Sequence, residues 1–219
     1  MFQKDYIMRM IEQFTAVLAK IMGLKSSGKI EEAQQVLNEA LKQFTGLSEA
    51  AIERLAYRDL IKLVGGINEV NSKKCIMLAE LLKVKADIYL GSEHPDKSLN
   101  LYLKSFNIYA ETMLSSNSSY LRPNLNFINE IINKVKQFSI PYETQILLFR
   151  YYESIAEYGK AEDVLFELLD QNVHRNIVLP IGIAFYERLS LKSPEELEKG
   201  NLPLHEALEG MEKIRSLEG

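Results

Sequence analysis

The sequence predicts an all-α protein, an array of antiparallel helices, and three observations carry that expectation. Apolar residues recur at intervals of three and four along nearly the whole chain, the spacing that lines one face of a helix. No stretch alternates apolar and polar residues between hairpin turns. A hairpin pattern with a small residue at its crossing returns at Ala33, Ser98 and Ala161, 65 and 63 residues apart. Repetition at a near-constant period is the mark of stacked helical units.

The elements follow in order. Phe14, Val17, Leu18 and Ile21 share a face of a first helix over residues 4–25. Ser26-Ser27-Gly28 breaks it, and Ile30, Ala33, Leu37 and Leu41 line a second helix ending near Phe44. Gly46 and Ser48 supply a break and a cap. Ile52, Leu55, Ala56 and Leu60 then fit one helix over 49–64, closed by Gly65-Gly66. A long helix is expected over 71–90, stopped by Gly91, and another over 95–114, begun by a first-turn proline. The polar run 115–119 is a loop. Ile128, Ile131, Ile132 and Val135 mark a helix over 123–138. The third block runs from 141 to 158, turns at Gly159 and continues over 161–170. Pro180 and Gly182 should kink or shorten the helix over 176–191. Ser193-Pro194-Glu195-Glu196 reads as a capping box with a first-turn proline, and Leu204, Leu208, Met211 and Ile214 make a last amphipathic helix. The expectation is one all-helical domain over 1–219, with units at 4–66, 71–138 and 141–191 and a terminal cap at 193–217.

The hairpins resemble the tetratricopeptide repeat. The nearest match covers residues 79–113, with Ala86 and Tyr89 on a first helix and Ser98, Tyr102 and Ser105 on a second. The third block offers Leu148, Tyr152 and Ala161, with Phe149 in a small residue's place; the first offers Ala33, Leu37 and Ala40. The period is nearly twice that of the family, so the chain reads as three divergent three-helix units with a C-terminal capping helix. A mixed bundle with one real repeat hairpin is the alternative. As a whole the chain also resembles an uncharacterised family of tetratricopeptide-like proteins from Gram-positive bacteria, which implies no function.

Composition narrows the setting. The net charge of −4 does not favour a nucleic-acid partner. Residues 1–22 are interrupted by Lys4, Asp5, Arg9, Glu12 and Lys20, so neither a signal peptide nor a membrane-spanning helix is expected there. Cys75 is the only cysteine, which fits a reducing compartment, and its apolar neighbours favour a small buried residue over a nucleophile. A cytoplasmic protein without membrane association is the expectation.

No residue set announces a reaction, and no cofactor is expected. His94, His174 and His205 lack a second histidine or cysteine at metal-ligand spacing, and His174-Arg175 reads as a helix boundary with a capping role. Glu31-Glu32 and Glu195-Glu196 complement helix dipoles. Lys73, Lys74, Lys83 and Lys85 form a basic stretch diluted by Glu80 and Asp87 and read as a solvated face. Asn117-Ser118-Ser119 matches a glycosylation sequon without a secretion signal.

The tetratricopeptide resemblance implies a concave groove lined by the first helices of successive hairpins. Carried over by position, it implies Thr15, Leu18 and Met22 from the first block and Glu80, Lys83, Asp87 and Leu90 from the second. From the third it implies Glu143, Ile146, Arg150 and Glu153. Lys83 and Arg150 would suit an acidic peptide or a terminal carboxylate, although Asp87 stands where carboxylate-binding members carry asparagine. The expected function is a non-catalytic protein- or peptide-binding scaffold. Two alternatives remain open. One is a structural homodimer formed through the stripe Phe2, Tyr6, Met10 and Phe14, which reads equally well as core. The other is an enzyme whose site assembles across helices around His174, Arg175 or Cys75.

Overall fold

The computed structural model describes residues 2–66, 69–90, 95–115, 124–136, 138–171 and 174–217. The expected features at Gly91, His94, 116–119 and Pro123 lie outside them, as does the side chain of Phe2. Among the described residues the chain is all-helical, with twelve helices and no strand. It divides into two compact units, Met1–Ser139 and Ile140–Gly219.

In the first unit α1 (Phe2–Ser26) and α2 (Ile30–Thr45) pack as a hairpin. Gly28 closes their turn and Gly46 ends α2, both in the left-handed region. Ala33, Leu37, Ala40, Leu41 and Phe44 of α2 are buried, and Phe14 of α1 meets Phe44 edge to face at 5.3 Å.

The single helix expected over 49–64 is instead two, α3 (Glu49–Arg54) and α4 (Tyr57–Leu63). Leu55 and Ala56 between them are extended. The break has a tertiary cause. Lys104 Nζ donates to the carbonyls of Ile52 (2.7 Å) and Glu53 (3.0 Å), supplying the donors that a continuing helix would otherwise provide. Bending there lets Ile52 and then Tyr57, Leu60 and Ile61 all be buried.

α5 (Glu69–Leu90) is the centre of this unit and touches α1, α2 and α6 (Pro95–Ser115). Its partnership with α6 depends on small residues spaced seven apart on both helices. Ser98 Oγ donates to the Ala86 carbonyl at 2.8 Å and Ser105 Oγ to that of Ala79 at 2.6 Å, contacts that require the two backbones to approach closely. α7 (Leu125–Val135) begins at Asn124, whose side chain accepts from the Phe127 N–H. It lays Phe127, Ile128, Ile131 and Val135 inward and packs against α6.

In the second unit α8 (Tyr142–Ser154) and α9 (Tyr158–Asp170) form a hairpin, α10 (Arg175–Leu189) packs on α9, and α12 (Leu204–Ser216) packs on α10 and on α11 (Pro194–Lys199). The turn expected at Gly159 falls earlier. α8 stops at Ser154, Ala156 takes the left-handed conformation (φ 59°), and Gly159 lies inside the first turn of α9. That glycine serves a close approach. Its N–H donates to the Gly200 carbonyl at 3.0 Å, and a Cβ there would sit 2.4 Å from the Asn201 carbonyl oxygen. α10 runs through Pro180 without ending. Gly182 admits Ile214 of α12 and Leu165 of α9, which a Cβ would meet at 2.5 and 3.2 Å. The capping box at Ser193 and Glu196 forms as its sequence predicts.

Candidate binding groove

α1 does not spend all its apolar surface on the core. Ile7, Met10, Phe14 and Ile21 are buried, whereas Met8 (51% exposed), Ile11 (40%) and Met22 (58%) are open and Leu18 is half-covered. Positions 8, 11, 15, 18 and 22 alternate steps of three and four, so they form one seam along the helix. The inner half of that seam borders a groove floored by α5 and walled on its far side by α7. Two adjoining hollows of about 680 and 320 Å³ share Leu18, Glu80 and Asn124. The larger is bordered by Met22 and Lys25 of α1, Lys83, Val84 and Asp87 of α5, and Phe127 and Glu130 of α7. The smaller reaches Ile11, Thr15, Lys73, Met77 and Tyr109.

A network of charges fixes the larger hollow. Asp87 is its hub: the buried Tyr102 hydroxyl of α6 donates to Oδ1, while Lys83 and Lys25 stand 3.5 and 3.8 Å from Oδ2. Lys83 also meets Glu130 of α7 at 2.6 Å. Burial works against the Lys83 charge, but its bonds to Glu130 and Asp87 outweigh that and hold the ammonium above its ordinary pKa. Burial, then the Asp87 bond, raises the Tyr102 phenol, so Tyr102 is a fixed donor. Glu80 differs. Desolvation raises its carboxyl, only partly offset by the field of Lys83, and among the described residues no side chain donates a hydrogen bond to it.

The structure therefore brings six of the positions named from sequence, Thr15, Leu18, Met22, Glu80, Lys83 and Asp87, to one groove. Leu90 stands partly exposed at the end of α5 outside the lining. Lys25, Asn124, Phe127 and Glu130 were not legible as groove residues, because α7 reaches the site only through its packing on α6. Among the third-block residues, which belong to the second unit, Ile146 is half-buried and Arg150 exposed. Glu153 accepts two bonds from Arg188, at 2.6 and 2.9 Å.

The expected self-association stripe does not exist as one surface. Met10 (7% exposed) and Phe14 (5%) are core, because α1 turns them onto the unit it belongs to; Tyr6 is open. His174 sits at the start of α10, but its side chain makes no capping bond and its ring lies against Tyr142 at 4.1 Å. Arg175 donates instead to the Leu217 carbonyl at 2.9 Å. Cys75 is fully buried, and desolvation pushes its thiol up to about 11. Among the described residues no helix is long and apolar enough to cross a membrane.

Fold and site together define an all-helical protein with an open, partly apolar groove lined by a partly exposed charge network that rests on the buried Tyr102. The whole chain, residues 1–219, matches the family of unknown function DUF6483 and belongs to it. No curated protein and no solved structure matches it.

Proposed function

We propose that this protein is a non-catalytic scaffold of the cytoplasm that binds a protein or peptide in the groove between α1 and α7. The observation that carries this reading is the largely exposed apolar seam of α1 running into a hollow whose polar groups are already largely organised. Exposed Met22 and Ile11 beside the cleft, with Met8 continuing the same helix face, make a surface suited to recognition. Packing order supports a tetratricopeptide-like frame: α1–α2 and α5–α6 are successive hairpins, with α2 and α1 both against α5 and α3–α4 as an insertion. In such frames the first helices of the hairpins line the binding face. The raised thiol of Cys75 and the firm protonation of Lys83 and Tyr102 speak for recognition over nucleophilic chemistry.

Peptide selection on the purified full chain tests this. Selected peptides should lose on the order of tenfold or more in affinity on Met22→Glu, which charges the seam. Leu208→Glu, on the exposed face of α12, should leave binding unchanged. Peptides indifferent to Met22→Glu would overturn the assignment of the groove.

A further inference from the structure

We propose that the groove's occupant is an amphipathic helix that sets one lysine or arginine, flanked by apolar side chains, against Glu80. This rests on the groove reading above and specifies its ligand.

Around the larger hollow the acids are Glu80, Asp87 and Glu130 and the bases are Lys25 and Lys83. Both lysines are already placed: Lys83 between Glu130 and Asp87, Lys25 on Asp87. Lys73 borders the smaller hollow seven residues from Glu80 along α5, a helical rise of about 10 Å between their backbones, and makes no ion pair with Glu80. Glu80 is thus the carboxylate left without a hydrogen-bond donor among the described residues, and it stands where the two hollows join. An acidic ligand would have to pull Lys83 from two carboxylates and then lie beside a third. A basic one completes the set, and burial strengthens the pair it makes. Leu18, Val84 and Phe127 around the same point supply the apolar contacts on either side. The three-and-four spacing of the α1 seam, over about 21 Å from Met8 to Met22, matches a helix of about four turns laid alongside it.

The probes are fluorescein-labelled amphipathic helices of about 18 residues, identical except for one central residue of the leucine seam, which is lysine, glutamate or norleucine. Binding to the full chain is followed by fluorescence anisotropy at about 0.15 M salt. The lysine peptide should bind about tenfold or more tighter than the glutamate peptide. Glu80→Gln should shrink that gap to about twofold, and Glu80→Lys should reverse it, with far-UV circular dichroism confirming that each variant is folded. Equal binding of the lysine and glutamate peptides, or a lysine preference that survives both substitutions, would overturn the inference and leave the groove reading in place. Should no peptide bind, or all bind regardless of Met22→Glu, the groove reading falls and this inference with it.

Discussion

Replacing Gly210 by alanine offers a test in which two physical rules give opposite signs. Gly210 lies inside α12, and alanine in a helix interior is favoured over glycine by about 1 kcal/mol. Propensity alone therefore predicts a more stable protein. The surroundings predict the reverse. A Cβ at 210 would lie 2.2 Å from the Tyr186 hydroxyl oxygen, 2.6 Å from its ring Cζ and 2.6 Å from Glu162 Oε1. None of these separations can persist, and the phenol has no room to retreat. Tyr186 is buried beside Phe185, which in turn meets Phe149. Its hydroxyl donates to Glu162 at 2.5 Å. Overpacking costs about 1–3 kcal/mol, and loss of a hydrogen bond to a charged group, discounted because Glu162 is half-exposed, about 1–2 kcal/mol. After the propensity gain, Gly210→Ala should destabilise by about 1–4 kcal/mol. Urea unfolding followed by far-UV circular dichroism measures it. Gly23→Ala, in α1 with nothing within 4 Å of the added carbon, should instead stabilise by about 0.5–1 kcal/mol. Tyr186→Phe removes the nearest clashing atom, so its effect and that of Gly210→Ala should be non-additive by about 1 kcal/mol. A Gly210→Ala protein as stable as the wild type, or strict additivity with Tyr186→Phe, would refute the close approach of α12 to α9 and α10.

Further expectations concern single groups. Because burial raises the Glu80 carboxyl in the folded chain, its ionisation opposes folding: this penalty begins as pH rises past the unfolded value, is complete above the folded one, and is relieved on acidification. Glu80→Gln should therefore be more stable than the wild type at pH 7, with the difference vanishing as pH falls to about 4; an unchanged difference across that range would count against a desolvated carboxylate. Cys75 should react with a disulfide thiol reagent at least about 100-fold more slowly in the folded chain than in denaturant, and parity of the two rates would place the thiol at the surface. Ala156 holds a left-handed conformation on an exposed turn, so Ala156→Gly should raise stability by about 0.5–1 kcal/mol; a loss in chemical unfolding would contradict that geometry.

Helix existence was legible from periodicity, and where α3 and α4 were read as one helix the cause of the break is a contact distant in sequence. Nothing between Arg54 and Tyr57 announces a break; the donor that ends α3 is Lys104, some fifty residues on. Gly159 looked like a turn residue because glycine usually is one. Here its missing side chain makes room for the backbone at Asn201, while Ala156 makes the turn. On α1 the periodicity showed a helix apolar around much of its circumference, and only packing could tell core (Met10, Phe14) from seam (Met8, Ile11, Met22). On the α5 side Glu80, Lys83 and Asp87 were reached only through the tetratricopeptide resemblance; their charge pattern alone reads as a solvated face. Glu130 was not reached at all, since an acid on the polar face of an amphipathic helix carries no sign that a lysine from another helix awaits it.

The hydroxyl that Tyr102 extends to Asp87 joins the interior of the first unit to the mouth of its groove. A partner resting on α1 and α7 would never touch that phenol, yet the carboxylate that arranges both lysines leans on it. Exchange of Tyr102 for phenylalanine would leave the outer surface unaltered in outline while loosening the charges it displays. If the groove binds as proposed, selection for a new partner would act from behind it, through a core position that comparison of exposed residues alone would pass over.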